Sequence, residues 1–246
     1  MLIASTKQVH GSGERLIDYL DDARADGMII LDGGLDADVV ESLENNPKTK
    51  LILFACEWVE GKDFPSVRSE NDNGTHAAVN HLYSLGHRKI AHVTGPKGNV
   101  LAHARKDAFI AEVGALKLEL KSEWVIIGDF SLAAGCEAAK VWIALDDRPT
   151  AVFCASDQLA LGFIAELSRH HFKVPYDVSV MGFDDIDFAE QFIPSLTSIR
   201  QDRLLLGETA ASMLMERIES PDGTSQHHAA VVPVSLIIRE STAPPR

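Results

Sequence analysis

Short, wholly apolar runs separated by amphipathic stretches constrain this chain more than any other feature of it. Residues 51–56 and 151–155 place apolar side chains on consecutive positions, and 178–183 does so apart from Ser179 and Gly182. Successive residues of a strand point to opposite faces, so such runs are strands buried on both sides. Further predicted strands cover 2–4, 28–31, 90–93, 124–127 and 231–238. Between them, helical spacing of apolar residues predicts helices over 14–25, 36–43, 73–85, 102–113, 133–145, 159–170 and 202–219. Gly27 and Gly86 stand where two of these helices end. Residues 57–69 read as a polar loop, and so do 221–228, rich in Pro, Gly, Ser and His. The alternation specifies an α/β fold of doubly wound parallel sheets with helices on both faces.

The chain has 246 residues, long enough for one large domain or two small ones, either with a core of its own. Its formal net charge of -13 and its lack of any Lys/Arg run argue against nonspecific binding of polyanions. Cys56, Cys136 and Cys154 are an odd number with no CxxC pair, and each sits in an apolar stretch, which fits a reducing compartment. The N-terminal residues lack the basic region and long apolar run of a signal peptide, and no apolar run is long enough to span a bilayer. A cytoplasmic protein is expected, with no membrane partner.

In open parallel sheets, ligands bind beyond the carboxyl ends of the strands. Those ends carry Asp32, Glu57-Trp58, Gly95, Asp129-Phe130, Ser156-Asp157 and Asp184-Asp185. Carboxylates and amides in such a rim suit a hydroxyl-rich ligand, and an aromatic ring suits the apolar face of a sugar. Catalytic signatures are missing. The sequence has no Gly-x-Ser-x-Gly elbow, no His-Glu-x-x-His, no phosphate loop and no dinucleotide fingerprint. Asp184-Asp185 reads as one carboxylate capping the next helix and the other facing the crevice. His170-His171 and His227-His228 read as surface residues rather than metal ligands. No enzyme activity, cofactor or metal is expected.

The segment 81–91, with Leu85-Gly86-His87-Arg88-Lys89-Ile90-Ala91 at its end, resembles the opening of the second lobe in the lactose-repressor/galactose-repressor (LacI/GalR) family of regulators. So do Pro149-Thr150-Ala151 through Ser156-Asp157-Gln158, Val174-Pro175 through Asp184-Asp185-Ile186, Pro194-Ser195-Leu196 through Gln201-Asp202, Leu206-Gly207, and Ile238-Arg239-Glu240-Ser241-Thr242. These blocks come in the family's order and cover nearly the whole chain.

The resemblance implies a two-lobed, periplasmic-binding-protein-like effector domain. Its first lobe would be 1–69 with 202–232, and its second 70–201 with 233–246. The chain would cross between lobes near Ser69-Glu70, 199–202 and Val232-Pro233, with a ligand in the cleft. Closure on the ligand would be relayed to an N-terminal helix-turn-helix domain. The implied ligand-binding residues are Arg105, Asp184, Phe130, Ser156, Glu57, Gln201 and Trp58, with Leu31 a weaker candidate. The effector is expected to be a sugar or sugar derivative, with a purine as the alternative. Glu57 is one methylene longer than the family's usual Asp, which would tighten its side of the pocket. The other expected partners are a second copy of the chain and, through the DNA-binding domain, operator DNA. A free-standing sugar-binding protein of a transport system is the competing reading. The resemblance begins at the family's second strand, which 2–5 would form, so a DNA-binding domain, a hinge, one strand and one helix are expected to precede this chain in a longer regulator.

Overall fold

In the computed structural model, residues 15–220 and 228–246 are described. The predicted strand at 2–4 and most of the 221–228 loop lie outside them. The chain divides into two compact units, Met1–Ser69 with Asp202–Val232 and Glu70–Gln201 with Pro233–Arg246.

The first unit holds a parallel sheet in the order β1 (Met28–Ile30), β2 (Ile52–Ala55), β3 (Ser66–Ser69), β9 (Ala229–Val232). The double-sided burial expected of residues 51–56 is visible side chain by side chain in β2. Ile52 and Phe54 pack with Leu16, Leu20, Val40 and Leu43, beside the short helix α1 (Asp18–Asp21) and α2 (Ala37–Glu44). Leu53 and Ala55 pack on the other side with Leu206, Ala210 and Met213 of α8 (Arg203–Glu219).

The second unit holds a six-stranded sheet in the order β10 (Val234–Ile237), β8 (Thr197–Gln201), β7 (Ser179–Asp184), β6 (Ala151–Cys154), β4 (Ile90–Thr94), β5 (Val125–Ile127). Read from β5 through β4, β6, β7 and β8, this is the doubly wound 2-1-3-4-5 order. Strand β10 runs antiparallel to β8, the one departure from parallel pairing in this sheet. In β6, Ala151 and Phe153 face the core shared with α3 (Asn71–Ser84) and α4 (Val100–Ala115). Val152 and Cys154 face the core under α5 (Leu132–Ala144) and α6 (Asp157–Arg169). Helices α5 and α6 touch backbone to backbone. A Cβ on Gly135 would lie 2.2 Å from the Leu159 carbonyl oxygen, and one on Gly162 2.1 Å from that of Leu132. Gly86, at φ +102°, ends α3 in a conformation that L side chains rarely adopt.

Several elements differ from the sequence expectation. The helix expected over 14–25 is only the single turn α1 within the described residues. The polar loop contains β3, whose Val67 is fully buried between β2 and β9. Four residues with one apolar member carry no legible period. Residues 231–238 are two strands in two different sheets, parted at Pro233, which has no N–H for a continuous ladder. Strand β8 and the short helix α7 (Phe188–Gln191) were not anticipated as elements.

Candidate functional site

All of β4 to β8 run in one direction, so their carboxyl ends share one edge of the second sheet. Arg105, on the second turn of α4, is 2% exposed. Asn99 fixes the start of that helix by accepting from the Leu101 and Ala102 N–H groups. The Arg105 guanidinium lies 3.7 Å from the Phe183 ring centroid. Its Nε donates to Asn71 Oδ1 at 2.9 Å, and a terminal nitrogen donates to the Ala155 carbonyl. The same nitrogen is 3.7 Å from Asp184 Oδ1. Asp184 ends β7, partly exposed, and Gln201 Nε2, at the end of β8, donates to it at 2.6 Å. Arg105, Asp184 and Gln201 are thus one connected group, built on α4, β7 and β8.

Asn71 belongs to that group, although the sequence did not single it out. It is the first residue of α3, buried, and holds the Arg105 side chain in orientation. The available signal was its place immediately after a chain crossing.

Ser156 is buried at the N-terminus of α6, where its Oγ accepts from Leu159 N–H at 3.3 Å. Phe130 sits over the end of β4, its ring so close to Gly95 that a Cβ there would lie 2.1 Å from it. Phe130, Asp184 and Asp185 all have positive φ (68°, 118° and 52°). Left-handed backbone in residues other than glycine is strain held by the surrounding structure, and it gathers at ligand sites.

The Asp185 side chain neither caps the following helix nor stands open to solvent. Asp185 accepts from Arg200 Nε at 2.6 Å and from Arg239 at 2.7 Å. Burial pushes its carboxyl toward protonation, but the two guanidinium groups prevail and hold it below the usual carboxylate range. Asp157 behaves oppositely. It is fully buried at the first turn of α6, and burial raises its pKa to about 7 against the hydrogen bonds from Ser198 and the Ile186 N–H, with Asp184 and Asp185 adding to the rise. The folded state therefore binds this proton more tightly than the unfolded chain, and the stability it contributes is lost as pH rises from about 4 to about 7. An Asp157→Asn variant should gain stability relative to the parent over that window. Urea unfolding at pH 5 and pH 8 checks this; a difference between parent and variant that does not change with pH would refute it.

In the first unit, Glu57 follows β2 and accepts from the Gly33 N–H at 2.9 Å. Trp58 packs under the Arg68 guanidinium, 4.4 Å from the ring centroid. Leu31, beyond β1, is largely exposed. Among the described residues, no group of three or more His, Cys, Asp or Glu could hold a metal ion, and no helix is long and apolar enough to cross a membrane.

Residues 79–242 match the periplasmic binding protein-like domain family. The helix-turn-helix repressor CytR of Escherichia coli is 31% identical across 98% of this chain and 70% of its own length. The repressor PurR of Photobacterium profundum is 32% identical across 90% of this chain and 66% of its own. The chain belongs to the LacI/GalR family of transcriptional regulators. A LacI-family regulator from Enterococcus faecium, solved with bound ribose, superposes with a TM-score of 0.81 at 29% identity, covering 94% of this chain and 84% of that one. This LacI/GalR chain spans about two thirds of the length of the curated relatives it matches. Those relatives are named as repressors, not as enzymes.

Proposed function

We propose that this chain is the effector-binding core of a transcriptional regulator, taking a small sugar-like ligand at the carboxyl edge of its second sheet. The reading rests on the Arg105–Asp184–Gln201 group at the carboxyl edge of the second sheet. A partly exposed carboxylate held by an amide, with a guanidinium fixed behind it, is equipped to bind vicinal hydroxyls. The ribose bound by the Enterococcus faecium relative supports the sugar class over a purine. Phe130 offers a ring face, and Ser156 and Gln201 offer hydrogen bonds. In the first unit, Glu57 and Trp58 are the candidate ligand contacts. No chemistry is done on the ligand. It binds one conformation more tightly than another, and this unequal affinity shifts the population that a DNA-binding domain outside this chain senses. The setting is the cytoplasm.

Calorimetric titration with pentoses, hexoses, sugar phosphates and nucleosides tests the proposal. Against the ligand so found, Arg105→Ala and Asp184→Ala should each weaken binding by ~1.5–3 kcal/mol, the range for hydrogen bonds to charged groups. Unchanged affinity in both variants would remove the site assignment, and saturable binding of none of the panel would remove the effector reading.

The functional unit is a homodimer, as a palindromic operator requires of its reader. Phe188 of α7 and Ile193 just beyond it are 68% and 90% exposed, large apolar groups of the kind that interfaces cover. Sedimentation analysis should show a dimer for the parent and a shift toward monomer for Ile193→Asp. A monomeric parent at micromolar concentration would contradict this.

A further inference from the structure

Helix α4 faces two ways. Arg105 turns into the unit, whereas Ala102, Lys106 and Ile110, spaced four apart, form a row along another side of the helix. That row faces β5, the last strand at its edge of the sheet. Val125 and Ile127 alternate onto one face of β5, and Ile127 is 57% exposed. Between row and strand lies a trough of about 520 Å³, with Gly95-Pro96-Lys97 and Leu120-Lys121-Ser122 among its walls. The volume is within the range of small-molecule sites, ~300–1,000 Å³.

Its charge runs against that of the chain. Acidic residues outnumber basic ones 36 to 23, yet the trough is lined by Lys97, Lys106, Lys121 and His103 and by no carboxylate. Lys121 is engaged by Asp147 at 2.7 Å and is 3.9 Å from Glu119. Lys106 has only its neighbour Asp107, at 3.8 Å, and Lys97 has no ion pair among the described residues. Two cationic side chains therefore stand over an apolar floor with little local compensation.

We propose that this trough is a second ligand site, which takes an amphipathic anion: a phosphate monoester carried on an apolar ring or short chain. The apolar body lies on Ile110, Val125 and Ile127, and the phosphate meets Lys97 and Lys106, which serve as mobile point charges.

Phenyl phosphate is the probe, with isoleucine methyl resonances of the whole chain as the readout. Titration should shift the Ile110 and Ile127 methyls saturably. Phenol and inorganic phosphate should bind about tenfold more weakly or worse, since each lacks half of the recognition. Lys106→Glu and Lys97→Glu, both surface changes, should each weaken binding about tenfold. Arg105→Ala should leave binding at the trough unchanged, which separates this site from the proposed effector site. Absent or non-saturating shifts, indifference to both lysine variants, or loss of binding on Arg105→Ala would overturn the proposal.

Discussion

An Asp185→Ala variant should unfold with a free energy lower by about 3–5 kcal/mol, the cost of breaking a buried ion pair from one side. The Asp185 side chain is 4% exposed and joins two arginines from different segments of the chain: Arg200 in β8 and Arg239 beyond β10. The two arginines should not respond alike. Arg200 is half exposed, so Arg200→Ala should cost under about 1 kcal/mol. Arg239 is mostly buried and also donates to the Leu196 carbonyl, so Arg239→Ala should approach the aspartate variant. Urea unfolding followed by fluorescence suits the comparison, because Trp124 and Trp142 both lie in the second unit. A loss below about 1 kcal/mol for Asp185→Ala would show that the pair is no better than a solvated one.

The glycine contacts between α5 and α6 should be nearly as costly to disturb. Gly135→Ala or Gly162→Ala sets a methyl about 2 Å from a helix carbonyl oxygen. Backbone cannot swing aside as a side chain can, so the helices must separate. We expect a loss of about 3 kcal/mol for each, the upper part of the range for overpacking. The double variant should cost much less than twice that, because the first substitution already parts the helices. Thermal unfolding of the three variants checks both points; additive losses would mean that the two contacts yield independently.

The fold was legible where burial imposes a period. Strands β2, β4, β6 and β7 announce themselves because both of their faces are apolar, and the helices over them because one face is. Strand β3 escaped because its place is set by partners on both sides rather than by its own residues. Residues 231–238 misled because an apolar run looks the same whether it enters one sheet or two. At the candidate site, Arg105, Asp184 and Gln201 were found by resemblance and by the strand-end rule, and the structure connects them directly. Asn71 was not found, since an asparagine at a helix start reads as an ordinary terminus. The roles of Asp157 and Asp185 were equally hidden. Two aspartates with the same intrinsic acidity take opposite protonation behaviour because burial outweighs the hydroxyl and N–H that Asp157 meets, while the two guanidinium groups that Asp185 meets outweigh its burial.

The interleaving of the two units bears on how the chain is made. Residues 66 and 229 are neighbours in one sheet, and residues 198 and 237 in the other. Emerging from the ribosome, the chain completes the strands β4 to β8 as a nearly continuous stretch, with mostly nearest-in-sequence connections. Strand β3 must instead wait, one edge unpaired, until β9 is synthesised. Contacts so distant in sequence form slowly, and an open strand edge invites pairing with other chains in the meantime. Strands β4 to β8 are thus the natural early-folding body, to which β10 adds last at one edge, whereas β3 in the first unit lacks its β9 neighbour until residues 229–232 are made.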